Sequence, residues 1–188
     1  PGAELNFAEN LLRYRDNSVA FVFKCETKPS VNITYEELYR TVGRLADSLK
    51  EQGVKKGDRV AAYMPNMAET AIAMLATTSM GATWASCGSE LGMQAVIDRF
   101  SQIEPKVLFT VDGYPYKNKP FPMLADVKEV VESVPSIEKV IVISYISEKP
   151  DISDIPKAVH YKDFLAEGKT DEITFEQVPF DHPVYIMF

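Results

Sequence analysis

Apolar and polar positions along the chain change period several times, and each change marks an element. The most informative stretch runs from Gly57 to Phe100. Within it a short apolar run, Val60 to Met64, stops at Pro65. Residues 67–80 predict a helix, with Asn66 and Glu69 placed as a capping box. Gly81 ends that helix, where a residue tolerant of positive φ is needed. A second short run, Ala82 to Ser86, precedes a second helix over residues 90–103. A crossover this long predicts parallel strands joined right-handedly. Ligands of open parallel sheets bind outside the carboxyl ends of the strands. Pro65-Asn66 and Cys87-Gly88-Ser89 are therefore the first candidate positions.

The same reading extends outward. Residues 18–25 are rich in β formers, and Val31 to Ile33 pairs with them across a turn containing Pro29, which predicts a peripheral strand pair over 18–33. Thr34 and Glu37 form a second capping box and open a helix over 34–52 that Gly53 closes. Lys106 to Val111 and Val140 to Ser144 are further buried strands, the latter a continuous apolar run suited to a sheet covered on both faces. A helix over 123–133 lies between them. The aromatic, basic and proline-rich segment Tyr114 to Pro122 reads as irregular, as do Ser147 to Pro156 and Thr174 to Pro183. Tyr161 to Ala166 predicts one or two helical turns, and Val184 to Phe188 a last strand from a sheet interior. The fold class is α/β, a largely parallel doubly wound sheet with flanking helices, whose central βα units span 54–145.

Composition changes this picture little. The chain has 188 residues, 46% apolar and 25% charged, ordinary values for a globular domain or large subdomain. A net charge of −7 argues against a nucleic-acid or anionic-membrane partner. No apolar run approaches a membrane span. Two cysteines, Cys25 and Cys87, are too few for a disulfide framework and read as reduced thiols, so the expected location is cytoplasmic. The chain opens Pro1-Gly2-Ala3-Glu4 and closes inside an apolar run, so the expectation is a piece of a longer protein, incomplete at both ends.

Candidate chemistry is sparse. Neither G-x-G-x-x-G nor G-x-x-x-x-G-K-[ST] occurs, which argues against a nicotinamide enzyme. No G-x-S-x-G elbow is present. His160 and His182 are isolated among loop residues, without metal spacing to either cysteine. They read most simply as solvent-facing or locally bonded. Cys87 lies between a strand and a helix, where a thiolate can be stabilised, but a small packed thiol is the simpler reading. Trp84 reads as core, with an acyl or adenine pocket as the alternative. Lys117 and Lys119 read as solvated loop residues, with a phosphate contact as the alternative.

The ordered string Thr34-Tyr35-Glu36-Glu37-Leu38, Gly57-Asp58-Arg59-Val60, Met64-Pro65-Asn66 and Gly81-Ala82-Thr83 resembles the amino-terminal domain of the AMP-forming acyl-CoA synthetases, the adenylate-forming superfamily. Residues 1–12, Gly81 to Cys87, Val96 to Phe100 and Gln102 to Lys106 are most similar to the members that activate acetoacetate. The resemblance covers the whole chain in unbroken order. It implies a two-step ligase: a carboxylate attacks the α-phosphate of ATP, giving an acyl-adenylate and pyrophosphate, and coenzyme A then takes the acyl group. ATP, Mg²⁺ and coenzyme A are the implied cofactors of the parent, and a small acid its substrate. In the family the charge-stabilising groups sit on a Ser/Thr/Gly-rich loop ending in Pro-Lys, on further downstream motifs and on a carboxyl-terminal lysine.

None of those motifs occurs in these residues, so no catalytic residue carries over. What the resemblance implies here is a wall of the coenzyme A or acid site, at Cys87, Gly88, Ser89 and Arg99. The expectation for the chain by itself is a scaffold without adenylation activity, whose last strand is poorly packed. Three functions stay open: part of an acid–CoA ligase, a non-catalytic relative of the same fold acting by binding or regulation, and, last in order, an unrelated doubly wound domain that binds a nucleotide for another purpose.

Overall fold

Where the sequence carries its apolar runs, the chain builds a parallel sheet of six strands. A computed structural model describes residues 2–188. In chain order the elements begin with β1 (Glu4–Leu5), α1 (Phe7–Leu11), β2 (Val19–Phe23), β3 (Val31–Thr34), α2 (Tyr35–Glu51) and β4 (Arg59–Tyr63). Then come α3 (Ala68–Ser79), β5 (Thr83–Cys87), α4 (Met93–Ile103), β6 (Val107–Val111), β7 (Gly113–Tyr116) and β8 (Lys119–Pro122). The chain ends with α5 (Leu124–Ser133), β9 (Lys139–Ile143), β10 (Ala158–His160), α6 (Tyr161–Glu167), β11 (Val178–Pro179) and β12 (Tyr185–Ile186). No described helix is long and apolar enough to cross a membrane.

The sheet order is β10-β9-β6-β4-β5-β12, and every pairing is parallel. From β4 the chain steps sideways to β5, then returns across β4 to β6. Right-handed crossovers in opposite directions put α3 and α4 on opposite faces. Accordingly α3 packs with α1 and α2, and α4 with α5. The reversal makes a topological switch point between the carboxyl ends of β4 and β6, where open α/β sheets keep their ligand crevice. Val60, Ala61 and Ala62 of β4 and all of β6 except Val107 are wholly buried, as expected of strands covered on both faces.

Local chemistry explains most element ends. The Thr34–Glu37 box closes as expected: the Glu37 amide donates to the Thr34 hydroxyl at 3.2 Å, and the Thr34 amide to the Glu37 carboxylate at 2.8 Å. Gly81 stands at φ 68° just after α3, in the left-handed region its type permits. Gly43 lies inside α2 because residues 168–171 cross the helix there; a Cβ would strike the Asp171 carbonyl.

Three expectations need correction. The Asn66–Glu69 box does not form. The N-cap of α3 is Met67, one residue later, without a side-chain cap bond. Burial of the Met67 side chain fixes the helix entry, and the Thr70 hydroxyl ties the first turn to the Pro65 carbonyl at 2.8 Å. The segment Tyr114 to Pro122 is a hairpin, β7 with β8, not irregular chain. Its two turn residues, Lys117 and Asn118, both have positive φ, 51° and 59°, as a two-residue type I′ turn requires. The Thr174 to Pro183 segment contains β11, which pairs with β1. The last strand is as poorly covered as expected: β12 is an edge strand among the described residues, paired with β5 alone. Met187 is 88% exposed and Phe188 53%, so the end of this apolar run is largely uncovered.

Candidate functional site

The carboxyl ends of β4 and β5 lie side by side, with Tyr63 and Cys87 as register partners. The Met64 amide donates to the Cys87 carbonyl at 3.2 Å, so the two strand ends are joined just where each chain turns away. After Cys87 the chain makes a short loop, Gly88 to Gly92, closed by the Leu91 amide on the Gly88 carbonyl at 3.1 Å. Ser89 is buried in it and Glu90 faces out. From β4 the Tyr63 hydroxyl donates to the Leu91 carbonyl at 2.8 Å. Arg99, half-buried one turn from the end of α4, gives one N–H to the Ala95 carbonyl at 3.3 Å. Its guanidinium stands over the Phe188 ring, 5.5 Å from the centroid. Cys87, Gly88, Ser89 and Arg99 thus share one corner of the sheet edge, beside β12.

The electrostatics of that corner argue against a reactive thiol. Burial pushes the Cys87 thiol up; the Arg99 charge opposes this and the Glu90 charge adds to it. A thiol held protonated is a poor nucleophile. In the ligase that the resemblance implies, replacing Cys87 by Ser should leave turnover within about a few-fold. Steady-state kinetics check this: a loss on the order of a hundredfold in a folded variant would give the thiol a direct role.

At the switch point the organising residue is Asp112. It is 3% exposed, and its carboxylate accepts the amides of Tyr145 at 2.6 Å, Ile146 at 3.0 Å and Ser147 at 2.7 Å. Its own amide donates to the Ile143 carbonyl at 3.2 Å, and its carbonyl accepts from the Met123 amide at 3.0 Å. One aspartate therefore ties the end of β6 to the loop after β9 and to the start of α5.

An open cleft of about 740 Å³ lies beyond, at the ends of β9 and β10, lined among others by Lys28, Glu69, Tyr145, His160 and Tyr161. Burial pushes the Glu69 carboxyl up against weaker lowering by its own backbone amide and by Lys28. The Tyr161 hydroxyl is buried without a hydrogen-bond partner among the described residues, and burial, reinforced by Glu69, pushes it up too. A carboxyl whose folded pKa is raised binds its proton more tightly folded than unfolded. Its contribution is present below the unfolded carboxylate pKa and is lost as pH rises through the folded one. Glu69→Gln should therefore stabilise the chain at neutral pH, and the gain should shrink below about pH 4.5. Urea unfolding at the two pH values checks this; a neutral-pH destabilisation would contradict it.

The other residues singled out from the sequence fall elsewhere. Trp84 is core, 4% exposed and 6.4 Å from Phe109 by ring centroids. His182 bonds the Gly81 carbonyl at 2.8 Å, a local tie. His160 is the N-cap of α6. Lys117 and Lys119 stand exposed on the hairpin. Cys25 and Cys87 are unpaired, and no cluster of three or more metal-ligating residues exists among the described residues. Sequence reading missed Tyr63, Asp112 and Glu69 as site residues. For Tyr63 and Asp112 a signal was present: each ends or directly follows a strand at the carboxyl edge of the sheet.

The family described as AMP-binding enzyme matches residues 7–188. An acetoacetyl-CoA synthetase from Macaca fascicularis is 44% identical over the whole of this chain, and one from Rhizobium meliloti is 42% identical. The solved structure of acetoacetyl-CoA synthetase from Streptomyces lividans superposes on all of it with a TM-score of 0.91 at 38% identity. In each case the match covers 29% of the relative, so the chain spans somewhat under a third of those proteins. The run of parallel βα units and the likeness from end to end agree, and the chain belongs to the AMP-binding enzyme family.

Proposed function

We propose that this chain is the amino-terminal subdomain of an ATP-dependent acid–CoA ligase, converting acetoacetate, ATP and coenzyme A to acetoacetyl-CoA, AMP and pyrophosphate through an acyl-adenylate. The observation that carries the reading is the superposition on an acetoacetyl-CoA synthetase over the whole of the chain. In this proposal residues 1–188 supply scaffold and one wall of the coenzyme A or acid site, at Cys87, Gly88, Ser89 and Arg99. Arg99 fits an anionic ligand: among the described residues its side chain hydrogen-bonds the Ala95 carbonyl alone and stacks on the Phe188 face, which leaves guanidinium N–H groups for a phosphate. Mg²⁺ would offset charge on the ATP phosphates when bound; among the described residues no cluster of three or more potential ligands is present for it. The proposed location is cytoplasmic, consistent with two free thiols.

Acid-dependent exchange of labelled pyrophosphate into ATP tests the reading on the full-length protein. Exchange with acetoacetate above other short acids is the expected result. A folded protein that exchanges with none would favour a non-catalytic relative. The 188-residue chain alone should exchange nothing, because it has no Ser/Thr/Gly-rich loop ending in Pro-Lys, and positioning and charge stabilisation supply most of the rate in such transfers.

A further inference from the structure

We propose that Tyr63 is a positioning residue for the coenzyme A half-reaction, holding the Gly88–Gly92 loop in register with the end of β4. The proposal rests on the reading that this loop walls the coenzyme A side. The loop begins and ends with glycine, so its backbone has more freedom than the strands around it. Its internal bond is the Leu91 amide on the Gly88 carbonyl. From outside, among the described residues, one side chain bonds its backbone: the Tyr63 hydroxyl, 2.8 Å from the Leu91 carbonyl and 28 residues away in sequence.

Tyr63 is well suited to act as a fixed post. It is 1% exposed, on a strand paired with neighbours on both sides. Its own carbonyl accepts the Thr110 hydroxyl of β6 at 2.9 Å. The post therefore stands on β4 between β5, which leads into the loop, and β6, across the switch point. Burial pushes the phenol up to about 12, so the hydroxyl keeps the proton it donates throughout the working pH range. Without that bond the loop keeps its sequence and its glycines but loses the tie that sets its height above β5. Ser89 and the loop amides would then sample several positions. A ligand seated on them would bind more weakly, while chemistry elsewhere in the enzyme would be untouched.

The test uses the full-length enzyme, with Tyr63→Phe and Arg99→Ala made separately. Acid-dependent pyrophosphate exchange reads the first half-reaction, and coenzyme A-dependent product formation reads the second. Removing one hydrogen bond should raise the KM for coenzyme A roughly three- to tenfold in Tyr63→Phe, with exchange within about twofold of the parent. Amides of residues 88–92 should also exchange hydrogen faster in that variant. If Arg99→Ala raises the KM and Tyr63→Phe does not, the loop is at the coenzyme A side but Tyr63 does not position it, and the proposal falls. If neither variant moves the KM, the reading beneath falls and the proposal with it. If exchange and product formation fall together in Tyr63→Phe, the tyrosine is a general structural support, and the proposal is again overturned.

Discussion

Asp112→Ala is expected to destabilise the chain by roughly 3–5 kcal/mol, the scale for removing one partner from a buried charged network. Three backbone amides, of Tyr145, Ile146 and Ser147, donate to this carboxylate. Alanine leaves all three without an acceptor. The Ser147 amide lies nearest solvent and can be rehydrated, but the Tyr145 amide is buried and cannot without opening the loop. Asp112→Asn should cost about half as much, since one amide oxygen can still accept while its NH₂ opposes the Ser147 N–H. Urea unfolding with the slope held constant measures both. A loss below about 1 kcal/mol for alanine would mean the loop after β9 holds itself.

The second large effect sits on α4, where two adjacent residues should behave in opposite ways. Phe100 is wholly buried in the core, while Arg99 beside it is half-buried under the Phe188 ring. Phe100→Ala removes a full aromatic side chain from a packed interior and should cost about 3–5 kcal/mol, transfer and cavity effects together. Arg99→Ala removes a stacking contact and one bond to its own helix, and should stay within about 1 kcal/mol of the parent. The same denaturation experiment compares them. Equal losses would mean that the guanidinium–ring contact carries structural weight, and would weaken the assignment of Arg99 to ligand binding.

Legibility in the sequence followed how local the deciding interaction was. The Thr34–Glu37 box was readable because all its atoms lie within one turn. The Asn66–Glu69 box has the same spelling but fails, because burial of Met67 moves the helix start by one residue. The β7–β8 hairpin was hidden because its turn uses Lys117 and Asn118 at positive φ, without the glycine that usually announces a type I′ turn. β10 has three residues and gains its identity only by pairing with β9. Cys87, Gly88 and Ser89 were named as candidates from the rule that ligands meet strand ends. Arg99 came from family resemblance, and its place over Phe188 joins residues far apart in the chain.

By itself, then, the sequence determined the central strands and the helices between them, that their sheet is parallel, and which family the chain resembles. Those properties rest on apolar period, glycine position and motif order, all read within a few residues. The tertiary structure alone decided the strand order, and with it the switch point between β4 and β6. It also decided the three amides gathered on Asp112 and the 28-residue reach from Tyr63 to Leu91. The physical reason is that side-chain period reports only which face of an element is buried. It carries no information about which neighbour covers that face, and a hydrogen bond across the sheet edge exists only once the neighbours are chosen.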